Sequence, residues 1–207
     1  MSVFDEIRSS CADLANRAES VQINHDFLEE YARQLPVDVA QNPVMETENH
    51  FCGDAAATLA YFITLDSINF GSGYFASLRL DQGKTGYFTV ASRLKAESIK
   101  AGGFSAAWLR NVDAAACCRI FEQNRENTFA FELMRLFSVA LNDLGNLLES
   151  QYDSSFASFI EAADCSAARL VQQLLAMPFY RDVFEVAGKK ISLLKRAQIT
   201  ASDLHIA

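Results

Sequence analysis

Apolar residues recur at helical spacing over most of the chain. Ile7, Cys11, Leu14 and Ala18 mark one face of a first helix over 3–20, and a second helix is predicted over 26–35 after a connector at 22–24. Pro36 and Pro43, with few periodic apolar residues around them, predict a long loop over 36–51. The next segment, 54–68, reads DAAATLAYFITLDSI; Leu59, Phe62, Ile63 and Ile68 lie near helical spacing between alanine-rich flanks, which predicts a core helix. Segments 77–80 and 87–90 flank Asp81-Gln82-Gly83-Lys84, a pattern that fits either a hairpin or a broken helical connection. Helices follow at 91–101, 105–110, 113–121, 128–148 and 155–176, with Phe129, Phe131, Phe137, Phe156 and Phe159 expected in the core. Pro178 ends that series. Two short strands at 183–186 and 190–193, turning at Ala187-Gly188, then lead to a last helix that opens with Lys195 and Arg196. The fold class read from this pattern is mainly α, one compact helical domain over 1–207 with one or two short β-hairpins.

Composition narrows the classes of function. Half of the residues are hydrophobic, enough for a substantial core, and no apolar run approaches the ~18 residues that cross a bilayer. The start, MSVFDEIRSS, is neither a basic leader nor followed by a signal-peptide core, so a cytoplasmic protein with no membrane partner is expected. Cys11, Cys52, Cys117, Cys118 and Cys165 are odd in number and lack CxxC spacing, which predicts reduced structural thiols. The formal net charge of −8 opposes non-specific attraction to polyanions and argues against direct nucleic-acid binding, whereas a mononucleotide needs one local cationic site.

The chemistry concentrates where the core helix ends. LDSINFGSGYF, 65–75, places Asp66 and Asn69 three apart on one helix face, able to meet one polar ligand edge, and Gly71 and Gly73 free the backbone after them. A glycine helix stop with ordinary packing is the competing reading. His50 ends the loop before the helix, as a pocket contact or as surface and capping use. At the far end, a Lys-Arg pair at a helix start gains nothing from the dipole and is free to hold an anion or to be solvated. The GKT at 83–85 is no Walker loop, because the glycine needed five positions earlier is Leu78. No metal cluster, nucleophilic triad or dinucleotide fingerprint is present in the sequence.

LDSINFGSGYF, KTGYFT at 84–89, SSFASFI and CSAARLVQQLL between 154 and 175, FYRDV at 179–183 and KRAQI at 195–199 together resemble the queuosine salvage proteins, which act as queuosine 5′-phosphate N-glycosidases. The resemblance implies a DNA-glycosylase-like helical architecture and hydrolysis of queuosine 5′-monophosphate to the base queuine, without a cofactor, in salvage of a tRNA modification. It implies that Asn69 reads a base or diol edge, that Phe70 and Tyr74 offer flat faces, and that Lys195 meets a phosphate or base carbonyl. Gly71, Ser72, Tyr87, Asp203 and His50 complete the expected substrate-binding set with Asp66. Arg181 and Asp182 match a family motif and fit a lock on the hairpin as well. The family continues beyond the KRAQ helix, and its catalytic carboxylate is expected in a later Ala-Asp-Tyr-Arg-like motif without counterpart in this sequence. Asp66 is the acidic residue left as a catalytic candidate, against a plain role bonding the glycine-rich turn. The alternative expectation is a nucleotide-binding or regulatory relative that does not turn over; an unrelated helical interaction domain would instead scatter the motif residues.

Overall fold

The computed structural model describes residues 2–38, 44–186 and 188–207, and the chain is mainly α. It divides into two compact units, Met1–Val44 with Asp182–Leu193, and Met45–Arg181 with Leu194–Ala207.

In the first unit, α1 (Val3–Asn16) is closed at its start by a capping box, Ser2 accepting from the Asp5 N–H while the Asp5 carboxylate accepts from that of Ser2. Asn24 caps α2 (His25–Gln34) by a single bond, its side-chain oxygen accepting from the Phe27 N–H at 3.0 Å. Both helices lie close to the ranges their periodicity predicts, yet neither carries a buried residue; Cys11 and Ala18 of the expected apolar face are exposed. The hairpin pairs β1 (Asp182–Val186) with β2 (Lys189–Leu193) antiparallel, Phe184 opposite Ile191. Of the predicted turn, Gly188 adopts φ +75°, which favours glycine, and Ala187 lies outside the described residues. The Lys189 ammonium donates to the Asp13 carboxylate on α1.

The second unit is built around α7 (Thr128–Gln151), where Leu133, Met134, Phe137, Leu141, Leu144 and Leu148 recur at three and four residues and are all fully buried. Around it lie α3 (Ala55–Ser67), α4 (Gly86–Ala101), α5 (Ala106–Asn111) and α6 (Ala114–Ile120), then α8 (Phe156–Glu161), α9 (Ala167–Leu174) and α10 (Lys195–Ile206). At Gly145 a side chain would meet Ala106 O and Arg110 N at 2.8 Å, so glycine lets α7 close on α5. Each burial of a leucine along this seam contributes about 1.5–3 kcal/mol.

Three expectations need correction. The segment 87–90 is helical, because Thr85 caps α4 through the Phe88 N–H and Gly86 packs directly on the Phe75 ring; the broken helical connection is the form adopted. Helix 155–176 is two helices: Asp164 and Cys165 sit at φ +49° and +53°, which ends α8, and Ser166 caps a fresh start. Phe129 is 65% exposed, since the first turn of α7 points it outward, while Phe137 and Phe159 are fully buried. No helix among the described residues is long and apolar enough to cross a membrane.

Candidate functional site

Asp66, Asn69 and Asp203 of the expected residues meet where the end of α3 faces α10. α3 is buried almost all round, with Tyr61, Ile63 and Leu65 fully covered, so the helix carries its last polar turn into the core instead of to the surface. Asp66 is 1% exposed. Opposite it, α10 turns Arg196, Thr200 and Asp203 to one face, the spacing of successive helical turns. Thr200 is fully buried and its hydroxyl meets the Tyr180 hydroxyl at 3.2 Å. Asp66 is hydrogen-bonded to Asp203, to Thr200 and, at a long 3.5 Å, to Asn69 Nδ2.

Two carboxylates in hydrogen-bond contact need a proton between them. Burial first, and then the neighbouring Asp203 charge, hold the Asp66 carboxyl well above the ordinary carboxylate range. Asp203 is raised too, by burial, but its bond to Asp66 and the nearby His50 pull it back. The proton therefore belongs to Asp66, whose Oδ2 is buried with no donor aimed at it, and Asp203, at the half-buried rim, carries the charge of the pair.

A second polar line enters from the loop before α3. His50 is 7% exposed, stacked on the Phe62 ring at 5.5 Å. Its Nδ1 lies 2.8 Å from Glu46 Oε2 and 3.0 Å from the Glu46 carbonyl oxygen; its Nε2 lies 2.9 Å from the Tyr87 hydroxyl. Glu46 is itself held by the N–H groups of Glu48 and Asn49. Burial, with the Asp66 and Asp203 carboxyls, pushes the Tyr87 phenol above its usual range and keeps it protonated. Polar side chains from three separate segments thus share one electrostatic neighbourhood.

The third component is aromatic. Phe70 stacks on Phe179 at 4.9 Å and 11°, meets the edge of Phe137 at 5.4 Å, and has the Arg196 guanidinium 5.3 Å from its ring centre. Gly71 turns the chain at φ +81° against Leu133 Cδ1, where a β-carbon has no room. The following 3₁₀ turn, Ser72–Ser77, presents Ser72 to solvent and leaves Tyr74 half-buried. Gln123 and Asn127 fasten the chain beyond it through Arg79 N and O and Ser77 O.

His50, Asp66, Asn69, Tyr87 and Asp203 are thereby brought together, with Phe70 and Gly71 alongside; Lys195 is exposed at the first position of α10 and enters no ion pair among the described residues. Arg181 donates to the Leu175 and Ala176 carbonyl oxygens, which ties the end of α9 to the following 3₁₀ turn. Glu46 and Thr200 escape the sequence reading, although the four-residue step from Glu46 to His50 is a usable signal. Arg196, read only as part of a basic pair, is the member that reaches the aromatic layer. Two grooves of about 730 and 540 Å³ open elsewhere on this unit, the first beside Trp108 and Arg119, the second beside Phe104 and Phe156. Neither is lined by these residues. Among the described residues no group of histidine, cysteine and carboxylate side chains is placed to hold a metal.

Comparison with known proteins gives a consistent picture. A family profile described as "Queuosine salvage protein" matches residues 49–207. A protein of Sphaerobacter thermophilus named queuosine 5′-phosphate N-glycosylase/hydrolase is 27% identical over 198 residues, covering 93% of this chain and 60% of that protein. The mouse protein of the same name is 26% identical over 212 residues, with 95% and 61% covered, and the bovine one 39% identical over 64 residues, covering 30% and 19%. The chain spans about three-fifths of the length of the bacterial and mouse relatives.

Proposed function

We propose a function from one premise: the chain belongs to the queuosine salvage protein family. On this reading it binds queuosine 5′-monophosphate at the junction of α3, Tyr87 and α10, and hydrolyses the N-glycosidic bond. Water adds to the anomeric carbon, the carbon–nitrogen bond breaks, and queuine leaves with the proton while ribose 5-phosphate remains. The transition state carries positive charge at the anomeric carbon, and a preorganised carboxylate stabilises such charge or draws the proton from the water.

The observation that carries the reading is the Asp66–Asp203 pair beside Asn69, Tyr87 and Phe70. A buried acid behind a rim carboxylate keeps one negative charge where a ligand edge arrives, and the carboxamide and hydroxyl add directional hydrogen bonds. Of the two cations, Arg196 lies over Phe70 and Lys195 is exposed one residue earlier. They are suited to the 5′-phosphate. Five free cysteines fit the reducing cytoplasm where nucleotide salvage operates.

Calorimetric titration with queuosine 5′-monophosphate, and chromatography of released queuine, test the two halves of the reading separately. Binding is expected to weaken more in Lys195→Ala than in Lys100→Ala, which removes a similar charge paired with Glu97. Equal losses point to diffuse charge attraction and remove the site from the proposal. Tight binding without released queuine converts the assignment to a nucleotide-binding member of the family.

A further inference from the structure

Glu46 is assigned no role by the family reading, yet it is the residue that orients His50. Two of its three oxygens accept at one ring nitrogen: Oε2 at 2.8 Å and the backbone carbonyl at 3.0 Å from Nδ1. Nδ1 must therefore carry hydrogen, since two acceptors facing a bare lone pair would repel it. In the neutral ring the lone pair then lies on Nε2, and among the described residues the group that meets it is the Tyr87 hydroxyl at 2.9 Å. A hydroxyl has a single proton. If it is given to Nε2, the Tyr87 oxygen offers nothing but lone pairs in every other direction.

We propose that Glu46, acting through His50, makes Tyr87 a hydrogen-bond acceptor toward the ligand, so that this wall of the site selects a donor-rich edge such as a diol, an amide N–H or an ammonium group. The inference rests on the functional reading for its ligand, but the hydrogen-bond polarity stands on the distances alone. Asp203 lies within electrostatic reach of the same hydroxyl and of His50, and bears the charge of its pair, so the wall is acceptor in character throughout. A phosphate, itself all acceptor, is excluded from it and must lie toward Arg196 and Phe70. Ligand orientation follows: base or diol against Tyr87 and Asp203, phosphate away. Glu46 is held in place for this task by the N–H groups of Glu48 and Asn49, at 2.9 and 3.1 Å.

A charge-assisted hydrogen bond of this kind favours one tautomer by about tenfold or more. The first test is the ¹⁵N spectrum of the His50 ring in the intact, ligand-free chain at pH 8, where Nδ1 is expected protonated and Nε2 pyridine-like. A protonated Nε2, whether in the other tautomer or in the imidazolium, overturns the proposal, because Tyr87 then accepts from His50 and points its proton outward. The second is a binding cycle with queuosine 5′-monophosphate. Tyr87→Phe is expected to weaken binding about tenfold, the loss of one hydrogen bond; Glu46→Leu should weaken it comparably, and Glu46→Gln, which retains an acceptor, by about threefold or less. The double variant Glu46→Leu/Tyr87→Phe should be no weaker than Tyr87→Phe alone, since Glu46 acts only through Tyr87. Additive losses overturn the proposal. Should the wild-type chain fail to bind this nucleotide, the functional reading falls while the spectrum still decides the polarity of Tyr87.

Discussion

Asp66→Asn replaces the buried acid by an amide of the same shape. The neutral carboxyl is the form the fold prefers, because burial and the adjacent Asp203 both resist its ionisation. A raised folded-state pKa means that the contribution of Asp66 to stability is complete below the unfolded value near 4 and is lost as pH rises through the raised value. Each unit of elevation corresponds to about 1.4 kcal/mol lost over that interval. Asparagine cannot ionise, yet its N–H donates to Asp203 as the acid proton does. The variant should therefore match the wild type within about 1 kcal/mol at pH 4 and exceed it by about 2 kcal/mol at pH 8, the scale on which an ionised buried group is penalised. For a chain of this length that is roughly 4–8 °C in melting temperature. Urea unfolding at pH 4, 6 and 8, followed by the fluorescence of Trp108, the single tryptophan, measures it. A variant less stable than wild type at pH 8, or parallel pH profiles for the two proteins, would refute the assignment of the proton to Asp66.

Gly71→Ala is expected to destabilise the chain by about 1–3 kcal/mol, because φ is +81° there and the added methyl meets Leu133; calorimetry measures the loss, and a neutral change would show that the turn relaxes freely. Alkylation of the native protein should label Cys11, Cys52 and Cys165, which are exposed, and spare Cys117, whose thiol burial pushes up to about 12; peptide mapping that finds Cys117 modified at the same rate would contradict its burial.

Much of this architecture is legible in the sequence because it is local. The periodicity of α7 and the end of α3 at LDSIN follow from residues within a few turns of one another. The break between α8 and α9 is less so: Asp164 and Cys165 in left-handed conformation, followed by a serine cap, look like ordinary helix interior when counted by apolar spacing. In the site, the pairing of Asp66 with Asn69 is readable from a step of three, and the gathering of LDSINFGSGYF, Tyr87 and the last helix follows from the family motifs. What spacing cannot carry is which side of α10 faces inward. Lys195 and Arg196 are adjacent letters, and one helical step of about 100° separates an exposed ammonium from a guanidinium over Phe70. Glu46 is hidden for another reason, since a turn has no apolar period to flag the residue that orients a histidine.

The meeting of α3 with α10 also fixes an order in time. Asp66 and Asp203 are separated by roughly 140 residues, and closing a loop of that length costs about 4 kcal/mol of chain entropy before their contact returns anything. Growing from the ribosome at about 5–20 residues per second, the chain makes its Asp66 segment roughly 7–27 seconds before Asp203. Through that interval the flank of α3 that faces α10 lacks the cover this later helix provides.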